Sequence, residues 1–214
     1  MAFVFRINGG KIVKKISLLF LVVSFLLVCS SVAKAEVVAD IYTDNFEANG
    51  KYTYVYPEGT CSIEEVSNPV KAGETALKVT LDPNTYAGAA VGGYALMDIS
   101  AVRKTGKLEF WIKGENGGEK CEVMLLDAED SDGTKAETGV VITPKYVTIT
   151  TDWKKVSIPL TAFKDQGQYW DLDSSSMKKD SMKWYEIKEL KIDVRPYDKN
   201  SSFTVYLDDI KIVN

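Results

Sequence analysis

The 214-residue sequence contains no histidine. Every mechanism that relies on imidazole is therefore excluded, serine triads and histidine-ligated metal centres included. Cysteine is scarce, with three in the chain, and no two are spaced as the C-x-x-C of a zinc or redox site. Basic residues are also in deficit, since residues 36–214 hold 21 Lys and Arg against 30 Asp and Glu, a net charge of −9. Such a chain repels phosphate backbones and anionic lipid, which argues against nucleic-acid or membrane-surface partners. Hydrophobic residues make up 45% and aromatic residues 11% of the chain, enough to bury a core and too much for a disordered polymer.

Long hydrophobic runs are missing too, with one exception. Lys11, Lys14 and Lys15 precede an apolar run from Ile16 to Cys29. It is short for a bilayer span and the right length for the hydrophobic region of a signal peptide, and Ala33-Lys34-Ala35 supplies the small residues a peptidase needs. Residues 1–35 are expected to be a cleavable signal peptide, and residues 36–214 one secreted domain. An uncleaved anchor is the alternative. A lipidated Cys29 is disfavoured by the bulk of Val28 before it. The exported chain keeps Cys61 and Cys121, whose pairing the sequence leaves open.

After residue 36 no apolar stripe runs at helical period, whereas short alternating segments recur between Gly, Pro, Asn and Asp. The clearest are Thr75 to Leu81, Lys107 to Lys113, Cys121 to Asp127, Lys155 to Leu160, Glu189 to Arg195 and Phe203 to Val213. About ten strands in one domain predict an all-β, two-sheet antiparallel sandwich. Only Ser174 to Lys188 has room for a helical turn. Strand periodicity assigns Leu108, Phe110 and Ile112 to the core, with Glu109 and Trp111 opposite. It likewise turns Leu190, Ile192 and Val194 inward and leaves Lys191, Asp193, Arg195 and Tyr197 on a polar, aromatic face that suggests a ligand surface.

Three segments in order carry a resemblance: Asp44-Asn45-Phe46-Glu47, the stretch Trp153 to Phe163, and Val205-Tyr206-Leu207-Asp208-Asp209-Ile210. Gly73 to Val79 and Leu108 to Gly114 fit the same layout. Together they resemble a carbohydrate-binding module of the jelly-roll, galactose-binding-like type, similar to the glucan-binding families 11 and 30. The resemblance implies a jelly-roll β-sandwich, no catalysis, and a sugar groove on the concave sheet or along its rim.

A saccharide is held by stacking its C–H faces on aromatic planes while polar side chains bond the hydroxyls, and Tyr and Trp suit this task. Tyr52, Tyr54 and Tyr56 stand at i, i+2 and i+4 and share a face if extended, although a half-buried strand would look the same. Trp170 sits in a polar stretch with little core to join. Tyr86 and Tyr94 flank the small-residue run Ala87 to Gly93, which leaves room for a ligand to approach. The expected sugar contacts are Trp170, Tyr86, Tyr94, Tyr52, Tyr54, Trp111, Asp193, Arg195 and Tyr197. Trp153 and Trp184 are assigned to packing.

Modules of the resembled type commonly hold a structural Ca²⁺ between the N-terminal segment and the last strand, through hard oxygen ligands. The resemblance places Asp44 and Glu47 on one side and Asp208 or Asp209 on the other, with main-chain oxygens from the Lys71 to Glu74 turn as further donors. Two adjacent acids in an apolar strand are costly unless one is paired, metal-bound or turned to water.

Three functional classes stand against one another. A glycosidase needs two converging carboxylates, and pairs such as Asp171 with Asp173 or Glu186 with Glu189 read equally as solvated residues. A polysaccharide lyase with Tyr197 as base and Arg195 against a uronate is a second possibility. A calcium-stabilised interaction domain is the third. The expected function is secreted, non-catalytic binding of plant-type polysaccharide, β-glucan foremost. A monomer is expected, acting free or beside separate glycanases.

Overall fold

The computed structural model describes residues 35–214, except 47, 57–58, 83, 85, 129–136, 142–144, 166–168, 172–173, 180 and 195–202, and gives backbone alone at 137–141, 169–171 and 194. The chain divides into two units, residues 1–35 and residues 36–214. The second is a two-sheet antiparallel jelly-roll sandwich. Its first sheet runs β3 (Ser62–Val66), β4 (Ala76–Leu81), β14 (Phe203–Val213), β6 (Lys107–Gly114), β9 (Lys154–Pro159), with β1 (Val37–Tyr42) also paired to β14. The second runs β10 (Lys164–Asp165), β8 (Glu137–Val141), β7 (Glu122–Asp127), β13 (Ile187–Val194), β5 (Ala87–Met97), β2 (Lys51–Tyr56). A separate ribbon pairs β11 (Tyr169–Asp171) with β12 (Ser176–Lys178).

Alternation places the core between the sheets. Leu108, Phe110 and Ile112 of β6, Val205 and Leu207 of β14, Leu190 and Ile192 of β13, and Val123 and Leu125 of β7 all join one buried cluster. Burying a Leu or Ile in this way contributes about 1.5–3 kcal/mol each, which is why strands rich in such residues fix the sandwich. Trp184 packs against that core, as expected, and the Arg103 guanidinium lies 3.9 Å from its ring centroid. Arg103 also donates to the carbonyls of Leu160 and Phe163, tying three connections together.

Two expectations need correction or completion. The stretch 174–188 holds strand β12 and turns rather than a helix among the described residues, because Ser176 to Lys178 finds a pairing partner in Tyr169 to Asp171. Cys61 and Cys121 are both free thiols, and burial pushes the Cys121 thiol up to about 12.

Candidate functional site

The outward face of the second sheet is built from the register of four strands. Tyr52, Tyr54 and Tyr56 of β2 stand opposite Gly92, Ala90 and Gly88 of β5. These in turn face Glu189, Lys191 and Asp193 of β13, which face Leu126, Met124 and Glu122 of β7. Adjacent strands lie about 4.8 Å apart, so β2 and β13 are separated by roughly 9.6 Å. A tyrosine reaches that far only by lying down across the strand between. Here that strand offers two glycines and an alanine.

The rings do lie down. The hydroxyls of Tyr52 and Tyr54 donate to Glu189 Oε1 and Oε2 at 2.7 and 2.8 Å, and Tyr56 donates to Asp193 Oδ1. A Cβ on Gly92 would stand 2.6 Å from Tyr52 Cζ, and one on Gly88 would overlap the Tyr56 phenol and Asp193 Oδ1. Tyr86 and Tyr94, on the same face of the same chain stretch, extend the row at each end. Tyr86 donates to Asp193 Oδ2 at 2.9 Å and its ring lies 5.6 Å from that of Tyr56, while Tyr94 lies 5.5 Å from Tyr52. Both remain open, 55% exposed at Tyr86 and 77% at Tyr94. The result is a tilted aromatic surface over a charged floor, with Lys191 Nζ 3.5 Å from Asp193 Oδ2.

Electrostatics follow from that packing. Burial and then the Asp193 charge push the Tyr56 phenol far above its ordinary range. Burial likewise raises Tyr86, Lys191 opposing and Asp193 reinforcing the shift. A phenol whose pKa is raised on folding gives stability that is complete below about pH 10, the unfolded value, and is lost as pH rises beyond it. Of the eleven tyrosines, Tyr56 and the core residue Tyr42, also raised by burial, are expected to ionise only as the fold is lost, and Tyr86 later than an ordinary tyrosine. Phenolate absorbance recorded beside circular dichroism checks this. A single transition near the ordinary tyrosine value with the fold intact would contradict it.

The expected sugar contacts thus separate. Tyr52, Tyr54, Tyr86, Tyr94 and Asp193 come together on one face. Trp111 does not join them, because β6 belongs to the other sheet, where the Lys71 ammonium covers its ring at 4.3 Å. The Trp170 side chain, Arg195 and Tyr197 lie outside the described residues, although Trp170 stands opposite Met177 in the ribbon. Glu189 was readable only as a solvated acid, and it is 1% exposed. Its even spacing with Lys191 and Asp193 was the signal for a shared face.

A second cluster gathers the acids expected to hold metal. The turn from Lys71 to Thr75 lies between two carboxylates: Asp208 Oδ2 accepts from Lys71 N and Ala72 N at 2.7 and 3.0 Å, and Asp44 Oδ1 accepts from Glu74 N and Thr75 N at 2.9 and 2.8 Å. A bulge in β14 parts the adjacent acids, with Asp209 at φ +49°. Asp209 therefore turns out to Lys211 Nζ, 2.7 Å away, and Asp208 turns in, fully buried. Among the described residues Asp208 Oδ1 has no hydrogen-bond partner. Burial raises the Asp208 carboxyl against the pull of the Ala72 and Lys71 amides, whereas at Asp44 desolvation is outweighed by the Thr75 and Glu74 amides, which hold the carboxyl low. An orphaned, buried carboxylate oxygen fits a hard cation, so Asp208 suits Ca²⁺ and Asp209 does not. Among the described residues no group of three or more acids is arranged as a complete cage. Glu47 lies outside them. A cavity of about 220 Å³ beside Asp44 also holds the Lys51 side chain, which speaks against a cation in the cavity itself.

A family model described as carbohydrate binding domain 30 matches residues 35–214. The chain belongs to that family. This module is similar in structure to the family 30 carbohydrate-binding module of a cellulosomal cellulase of Clostridium thermocellum, with a TM-score of 0.61 and 24% identity over 81% of this chain and 95% of that one. It is also similar to a family 11 module from Clostridium thermocellum, solved in complex with a β-1,3-1,4-mixed-linked tetrasaccharide, with a TM-score of 0.59 and 19% identity over 85% and 97% of the two chains. A search of curated proteins gives no match. The module is a non-catalytic carbohydrate binder, which overturns the lyase and glycosidase alternatives and leaves Tyr197 and Arg195 with no catalytic part.

Proposed function

We propose that the module binds a neutral β-glucan on the outward face of its second sheet, by stacking sugar rings on tyrosines that lie over an acidic floor and hydrogen-bonding hydroxyls to polar groups at the rim of that surface. The observation that carries this reading is the single aromatic surface of Tyr52, Tyr54, Tyr56, Tyr86 and Tyr94, with Tyr86 and Tyr94 more than half exposed. Glu189 and Asp193 against Lys191 make its described floor acidic, which favours a neutral glycan over a polyuronate. The mixed-linked tetrasaccharide bound by the family 11 module supports the choice of β-glucan. Trp170, Arg195 and Tyr197 stay in the proposed site on sequence grounds, and Trp111 leaves it. A Ca²⁺ held by Asp208 and Asp44, with Glu47 from the same segment, would stabilise the turn from Lys71 to Thr75 against the first sheet. Export through residues 1–35, a monomeric state and action beside separate glycanases complete the proposal.

Affinity electrophoresis in gels containing mixed-linked β-glucan, xylan, mannan or a polyuronate tests it. Retardation by β-glucan without release of reducing sugar is expected, and none by the polyuronate. Tyr94→Ala should weaken binding by about 1–3 kcal/mol, in line with stacking losses at aromatic surfaces, and leave the melting temperature unchanged because the ring packs little. Retardation by the polyuronate alone, or unchanged affinity in Tyr94→Ala, would contradict the proposal.

A further inference from the structure

Glu189 and Asp193 face away from the core, yet each is only 1% exposed. A buried carboxylate is costly unless it is paired and hydrogen-bonded. Both are, and in the same way: each oxygen of each carboxylate takes one phenol proton. Glu189 bridges Tyr52 and Tyr54, and Asp193 bridges Tyr56 and Tyr86. Lys191, 4% exposed, stands between them on β13 and pairs with Asp193. The product of this array is the fixed attitude of four rings.

Tyrosines on an edge strand otherwise sample several rotamers, and ordering them when a ligand arrives costs binding energy. A ring anchored at its far end has met that cost before the ligand comes. Glu189 and Asp193, we infer, are positioning residues of the saccharide site: each carboxylate clamps two phenols, so that the rings of Tyr52, Tyr54 and Tyr56 lie preset across β5 with Tyr86 fixed beside them. The inference rests on the reading of this face as the glucan site. It assigns to two acids beneath the tyrosines a share of the affinity that does not depend on their touching sugar.

The test is calorimetric titration of the full chain and its Glu189→Gln and Asp193→Asn variants with a β-1,3-1,4-linked glucan tetrasaccharide, alongside phenolate titration of each. Each amide puts a donating NH₂ where one carboxylate oxygen accepted, so one phenol of each pair keeps its bond only with the direction reversed, and the substitution weakens half a clamp and removes the charge. Affinity is expected to fall about tenfold in each, since the rings must again be ordered on binding. In Asp193→Asn the delayed phenolate step should move to lower pH for Tyr56 and Tyr86, which reports the opened clamp, and the affinity loss should persist under conditions where circular dichroism shows the variant fully folded, which a merely structural role would not produce. Should either variant fail to fold, Tyr86→Phe at its half-exposed position keeps the ring and frees one arm of the Asp193 clamp, with a several-fold loss expected. Folded variants that match the unaltered protein in affinity would overturn the inference. If the unaltered protein itself binds no glucan, the reading of the face fails first and the positioning role falls with it, whereas binding with insensitive variants condemns the clamp alone.

Discussion

Replacing Gly88 by alanine is expected to lower both stability and glucan affinity, the first by about 1–3 kcal/mol, as for other overpacked sites, and the second by about tenfold or more. A methyl group there would overlap the Tyr56 phenol and Asp193 Oδ1. Neither neighbour can yield cheaply. Asp193 is buried and bound by Tyr86 and Lys191 as well, and the Tyr56 ring lies across the very strand that would carry the methyl. The phenol must therefore stand up, breaking its bond to the carboxylate and spoiling the surface. Gly92→Ala should act in the same direction against Tyr52 and Glu189. Gly93 supplies the control, since its added Cβ would come no closer than 3.4 Å to Ala95 O, an ordinary contact. Gly93→Ala should stay within about 0.5 kcal/mol of the unaltered protein. Urea denaturation and glucan titration of the three variants check the set, and a Gly88→Ala protein unchanged in both would show that the rings do not depend on the missing side chains.

Chelation is expected to destabilise the module without abolishing sugar binding. A cation present at a hundred times its dissociation constant contributes about 2.7 kcal/mol to a fold that alone holds it. For a domain of this size that corresponds to a melting temperature roughly 5–10 °C lower in chelator. The tyrosine surface lies on the other sheet from Asp208, so its affinity should persist below the transition. Asp208→Asn should erase the calcium response, because the amide oxygen stays on the Lys71 and Ala72 N–H groups and the amide nitrogen, which does not ligate Ca²⁺, takes the place of the orphaned Oδ1, yet it should be no less stable than the unaltered protein in chelator, where the buried charge is a burden. Asp209→Asn should keep the response, since that side chain already answers to Lys211. Identical melting curves with calcium and with chelator would remove the ion from the account.

Much of the architecture was legible because strand periodicity is a local property. The alternation in Leu108 to Ile112 and in Leu190 to Asp193 states which side chains face inward, and the sheets obey it. The tyrosine row was legible for the same reason, as was the small-residue run beside it. What alternation does not state is which strands become neighbours. Trp111 faces outward as expected, but on the sheet that does not carry the Tyr52, Tyr54 and Tyr56 row, a matter of long-range pairing. Glu189 looked like any acid near a turn, because its role arises from Tyr52 and Tyr54, more than a hundred residues earlier in the chain. The division of labour between Asp208 and Asp209 turned on a bulge, which shifts the parity that a sequence reading takes as continuous. The helical expectation for Ser174 to Lys188 failed because a strand partner outweighed a weak local preference.

The most direct test of where the sugar lies is chemical-shift mapping of the protein titrated with a β-1,3-1,4-linked glucan tetrasaccharide. The predicted result is a contiguous set of perturbed amides in Lys51–Tyr56, Ala87–Met97 and Ile187–Val194, with Lys107–Gly114 unmoved. Perturbations centred on Trp111 and its sheet, or none at saturating sugar, would contradict a glucan site on the tyrosine face.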